Sequence, residues 1–174
     1  ALDQEVRVLA RQREIDQEAA TEKAKTAAIA RAGKDGFSLK SADGAFALRL
    51  RGYANVDARF VPQTRVRPSV ITFLLRRVRP IVEGTVARSF DFRIMVDFGE
   101  GKTALQDGYL EAKFSPAARL RAGKFKAPFG LERLQSATDI LFVERGLPTN
   151  LVPNRDVGVQ ISGELRGGAI NYTL

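Results

Sequence analysis

The chain has 174 residues, 44% hydrophobic and 28% charged, which suits an ordinary folded domain. It contains no Cys and no His, which excludes disulfide scaffolds, thiol nucleophiles and the commonest transition-metal ligands, and with them most hydrolase and metalloenzyme sites; no cofactor is expected. A formal charge of +8 favours anionic partners: nucleic acid, acidic lipid or lipopolysaccharide, or small anions in a channel.

Residues 1 to about 32 hold no Pro or Gly and many Ala, Glu, Gln, Lys and Arg, so they predict a helix that Gly33 to Gly36 ends. Leu2, Val6 and Leu9 keep a heptad-like spacing, but Arg13 and Asp16 fall where the seam would continue, so a helix is better supported than a coiled coil. A mobile charged arm and an oligomerising or cell-wall-facing helix both fit this segment. No basic stretch followed by an apolar core opens the chain, and any secretory signal is expected to have been removed ahead of Ala1.

From Phe46 the period changes to two. Phe46, Leu48, Leu50, Gly52, Ala54, Val56, Ala58 and Phe60 alternate with a set that includes Arg49, Arg51, Tyr53, Asn55, Asp57 and Arg59, so one face is non-polar and the other carries charge. At about 3.3 Å per residue and a tilt near 40°, such a strand rises roughly 35 Å, enough to cross a bilayer. A long edge strand in a soluble sandwich is the competing reading of this segment alone. The pattern recurs, however. Val78, Val82 and Val86 alternate with Arg77, Arg79, Glu83 and Thr85, and Phe90, Phe92, Ile94, Val96 and Phe98 alternate with Asp91, Arg93 and Asp97. Further segments start at Gly108, Arg119, Val157 and Ile170, making seven predicted strands. Pro80 has no N–H for a ladder bond, so a bulge is expected around residues 79–81.

The connections run long (61–71), short (87–89), long (99–106), short (115–118), very long (127–156) and short (166–168). That alternation is the pattern of an outer-membrane barrel, with short periplasmic turns and longer outer loops. It places the N-terminal helix in the periplasm. No window carries the roughly 18 consecutive apolar residues of a membrane helix, so a membrane location implies a barrel. The expected organisation is a periplasmic helix or coiled-coil arm over 1–36 and an all-β, antiparallel transmembrane β-barrel portion over 37–174. Residues 127–156 are the functional-loop candidate. About seven strands, with the chain stopping inside one at Leu174, leave an open edge, so a piece of a longer protein is expected.

Several motifs are more specific: Phe73-Leu74-Leu75-Arg76-Arg77-Val78-Arg79, Val96-Asp97-Phe98, Asp107-Gly108-Tyr109-Leu110-Glu111, Asn154-Arg155-Asp156-Val157-Gly158, and the run from Gly123-Lys124-Phe125-Lys126 to Pro128-Phe129-Gly130-Leu131-Glu132. Through them the chain, from about Phe46 to Leu174, resembles the phosphate-selective porin O and P family. The resemblance implies a trimeric, sixteen-stranded barrel whose third loop folds inward to narrow the pore, with lumenal arginines guiding anions such as phosphate. Where the family's phosphate channels carry a lysine cluster in that loop, residues 127–156 contain no Lys. They hold Arg133, Arg145 and Arg155 against Glu132, Asp139, Glu144 and Asp156.

An anion channel needs cations on its wet wall, because fixed charge there offsets lost ion hydration. By parity the inward basic set is Arg49, Arg51, Arg59, Arg77, Arg79, Arg93, Lys113, Arg119 and Arg121, facing Asp57, Glu83, Asp91, Asp97, Asp107, Glu111 and Glu164. Each Arg either guides anions or pairs across strands to stiffen the wall. Arg49, Arg51, Arg77 and Arg79 stand out as guides, since few acids lie beside them in sequence. Arg133, Arg145 and Arg155 are the constriction-loop candidates. Gly99-Glu100-Gly101-Lys102 lacks the strand-to-helix setting of a phosphate-binding loop and reads as a turn, and no carboxylate pair is singled out for acid-base work, so no enzyme is expected.

The leading function is passive diffusion of small solutes, preferentially anions, through a homotrimeric pore in the outer membrane, in contact with lipopolysaccharide and outer-membrane lipid. A second reading is a structural protein tethered to the cell wall or a periplasmic partner through its helix. A third, a soluble basic domain binding nucleic acid, predicts aromatics interleaved with basic residues on one face. Here the Phe residues lie mostly opposite the Arg residues.

Overall fold

In the computed structural model, residues 2–66 and 68–174 are described. Helix α1 (Leu2–Thr26) leads into nine strands: β1 (Ile29–Gly33), β2 (Gly36–Lys40), β3 (Ala47–Val61), β4 (Val70–Val86), β5 (Phe90–Asp97), β6 (Ala104–Ser115), β7 (Ala118–Lys126), β8 (Arg155–Leu165) and β9 (Ile170–Thr173). They form one antiparallel sheet in sequence order, open between β1 and β9. A four-residue helix, α2 (Leu131–Leu134), and a 3-10 turn (Leu147–Leu151) lie in the β7–β8 connection.

The helix is shorter than the sequence suggests, and two strands precede the first expected one. Ala27 to Ala32 is rich in helix formers, yet Ala30 and Ala32 pair with Leu39 and Phe37 in a β1–β2 hairpin that zips onto the start of β3. Ladder pairing overrides local propensity there. The sheet therefore starts at Ile29, inside the stretch expected to be an arm. Helix α1 is polar nearly all round and held by local pairs such as Arg11–Glu14 (2.9 Å) and Glu22–Lys25 (2.7 Å). Val6 and Leu9 are exposed, and the side chain of Leu2 lies outside the described residues. The chain enters β1 at the end of the sheet that carries the β4–β5 and β6–β7 turns, whereas the two-residue β1–β2 turn lies at the opposite end.

Burial is inverted relative to a soluble fold. Leu50 (48%), Val56 (71%), Ile94 (47%) and Leu110 (50%) are exposed, as parity assigns them, whereas Arg77 (4%), Asp107 (7%) and Glu111 (6%) are buried. Water cannot stably bathe so continuous an apolar face. Hydrocarbon can, and the Phe residues mark its edges: Phe46, Phe90 and Phe114 lie near the short-turn end, Phe60, Phe73 and Phe98 near the other.

The bulge falls elsewhere than expected. Pro80 sits directly opposite Gly52 in unbroken register, and the shift comes where Asn55 pairs Arg77 but Val56 pairs Leu75, leaving Arg76 as the extra residue. Pro80 is tolerated because its nitrogen faces β5 where that ladder has ended. Two residues earlier, Val78 turns the same way, donating its N–H to the Asp97 carboxylate and accepting from Phe98 N–H through its carbonyl. The bulge has its own effect. It switches parity, so Ile71, Phe73 and Leu75 continue the apolar face that Val78 and Val82 began, and Arg76 is turned toward the β7–β8 loop.

Candidate pore wall and inward loop

The charged face of the sheet is a ladder of ion pairs. Glu83 on β4 stands between Arg49 and Arg93 on the flanking strands and also receives Arg51 at 2.9 Å. Asp107 on β6 takes Arg93 (3.2 Å) and Arg155 (2.6 Å). Arg79–Asp97 (2.7 Å), Lys113–Asp91 (2.8 Å), Arg119–Glu164 (3.0 Å), Arg121–Glu111 (2.6 Å) and Arg59–Asp57 (2.8 Å) extend it. Every arginine expected on this wall thus meets a carboxylate. That includes Arg49, Arg51, Arg77 and Arg79, beside which few acids lie in the sequence. Arg49 is the loosest, 3.6 Å from Glu83 with 53% of its side chain in solvent.

Packing on this face depends on a glycine. Gly123 has φ +130°, and a Cβ there would meet the Gly108 carbonyl and Tyr109. Tyr109, its cross-strand partner, fills the space; its ring lies 4.3 Å from the Arg121 guanidinium and edge-on to Phe125.

The β7–β8 loop, residues 127–154, lies over the same charged face. Three observations show it. Glu144 receives Arg59 (2.9 Å), Arg76 (2.6 Å) and Arg77 (3.2 Å), so one loop carboxylate ties down three arginines of β3 and β4. These hydrogen bonds, the one from Arg76 foremost, hold Glu144 well below the usual carboxylate range, at about 2. Ala137 is buried and lines, with Ile81, Met95 and Phe125 of the wall, one recess between wall and loop. Lys126 at the end of β7 donates to the carbonyls of Leu134 and Gln135.

Of the arginines expected in the loop, Arg133 donates to the Thr149 carbonyl (2.8 Å) and Arg145 to the carbonyls of Glu132 (3.0 Å) and Gln135 (2.8 Å), whereas Arg155 belongs to the wall, opening β8 and joining Asp107. Burial, then Arg77, Arg133 and Arg155 nearby, push Arg145 below its ordinary value. Leu141 (90%), Phe142 (74%) and Val143 (64%) are exposed on this open sheet and do not hold the loop to it. The loop is anchored instead by Glu144 and Ala137. Sequence reading missed Ile81, Met95, Phe125, Arg76, Lys126 and the latch role of Glu144. A signal existed for the first three, because each is an apolar residue at an inward position of an otherwise polar face.

An amphipathic antiparallel sheet with an apolar outer face, a charged inner face and a long loop laid over that inner face has the arrangement of one side of a porin-type barrel, open here between β1 and β9. The model of the family described as phosphate-selective porin O and P matches residues 46–169, and the chain belongs to that family of outer-membrane porins. No curated protein matches the chain.

Proposed function

We propose that this sheet is part of a closed transmembrane barrel that passes small solutes and prefers anions. One observation carries the preference: under the loop, Lys126 and Arg145 both donate to the Gln135 carbonyl, and neither has a carboxylate partner among the described residues. The wall arginines are largely neutralised in pairs, so the excess positive field arises where the loop narrows the lumen. A steering role for the wall falls chiefly to Arg49. The absence of Lys from the loop leaves phosphate no special claim over other anions. With the short turns in the periplasm, helix α1 lies there too, available to the cell wall or a partner. The test is the reversal potential of the full-length porin in a planar bilayer under a KCl gradient. Chloride should pass more readily than potassium, and more so at low salt. Equal permeabilities at low salt would overturn the preference.

A further inference from the structure

Between the wall and the loop lies an open-sided recess of about 690 Å³. Its cations include Lys126 and Arg145, which have no carboxylate partner among the described residues, beside Arg79, Arg121 and Arg155, which are paired with Asp97, Glu111 and Asp107. Its remaining lining mixes rings and aliphatic groups (Tyr53, Tyr109, Phe125, Pro128 and Leu134) with the polar Ser136, Thr138, Gln160 and Thr173. Lys126 and Arg145 spend donors on backbone carbonyls and keep others free, since an ammonium has three and a guanidinium five.

We propose that this recess selects organic anions bearing an apolar body, of which an aryl carboxylate is the simplest, over inorganic anions of equal charge. This rests on the anion-preferring pore proposed above and names the class of solute it favours. An inorganic phosphate is hydrated on every side, and a wall half made of rings and aliphatic carbons returns few of the hydrogen bonds it would lose. A carboxylate on a ring presents one charged edge to Lys126 and Arg145. Its other face needs no donors and gains by leaving water against Tyr109, Phe125 and Leu134.

The experiment is interruption of chloride current through the full-length porin in planar bilayers by benzoate, acetate and inorganic phosphate. Benzoate should act at a concentration about ten-fold below acetate, the factor expected from burying part of a ring, and below phosphate. In Leu134→Ser, at a residue 45% exposed in the parent, the benzoate advantage should shrink while block by acetate is unchanged. In Lys126→Gln, benzoate and acetate should both weaken. Phosphate acting at or below the benzoate concentration, benzoate and acetate acting equally in the unmodified porin, or a benzoate advantage untouched by Leu134→Ser would each overturn the inference. An anion-selective reversal potential alongside such a result would leave the pore reading standing; loss of anion selectivity itself would remove both.

Discussion

Glu144→Gln tests whether the loop is latched by one carboxylate. The substitution keeps the shape and removes the charge that receives Arg59, Arg76 and Arg77, leaving three guanidiniums with only Asp57 and Glu100 as remaining carboxylate partners. A carboxylate held at about 2 instead of 4.5 corresponds to about 3 kcal/mol if unscreened. With 42% of the side chain in solvent, about 1 kcal/mol is the appropriate figure. That raises the population of the released loop about five-fold. Because the folded-state value is depressed, the latch is at full strength above about 4.5 and is lost as pH falls toward about 2. The assay is limited proteolysis of the reconstituted porin within residues 134–150, together with single-channel conductance. The variant should be cut several-fold faster at pH 7 and conduct more noisily, with higher anion selectivity from the freed arginines. The unmodified porin should approach the same behaviour between pH 4 and pH 2. Equal cleavage and conductance in variant and parent at pH 7 would refute the latch.

Arg79→Ala breaks a pair whose side chains are only 10% and 11% exposed, and Asp97 also accepts from the N–H groups of Val78 and Gly99, so a loss of about 3 kcal/mol and a lower unfolding temperature in detergent are expected. Arg49→Ala, at the loosest pair, should leave that temperature unchanged and lower the chloride-to-potassium permeability ratio at low salt. Val56→Arg, on the apolar face near mid-strand and 71% exposed, should cost about 2–4 kcal/mol when folding is measured in lipid vesicles. Gly84→Val should weaken β3–β4 pairing, because its Cβ would collide with the Ala47 carbonyl; gel mobility of the unheated porin reads this as loss of the folded band.

The two faces of the sheet were legible in the sequence because parity is local: Leu48 and Arg49 point opposite ways whatever their neighbours are. The order of short and long connections was legible for the same reason, since turn residues act within a few positions. Strands β1 and β2 were not, because Ala27 to Ala32 favours a helix until Leu39 and Phe37 offer it a ladder. The position of the bulge was hidden as well: Pro80 advertises a break, but whether its missing N–H matters depends on where β5 stops pairing with β4. Partner choice was the least legible feature. Arg77 and Glu144 are 67 residues apart in sequence, and an inward Arg is the same letter whether it guides an ion or is neutralised by a carboxylate on another strand or loop. Alternation sets which side of the wall a charge occupies. What it meets there is decided by strand register and by the loop, because an ion pair forms over a few ångströms of space and not over a fixed spacing along the chain.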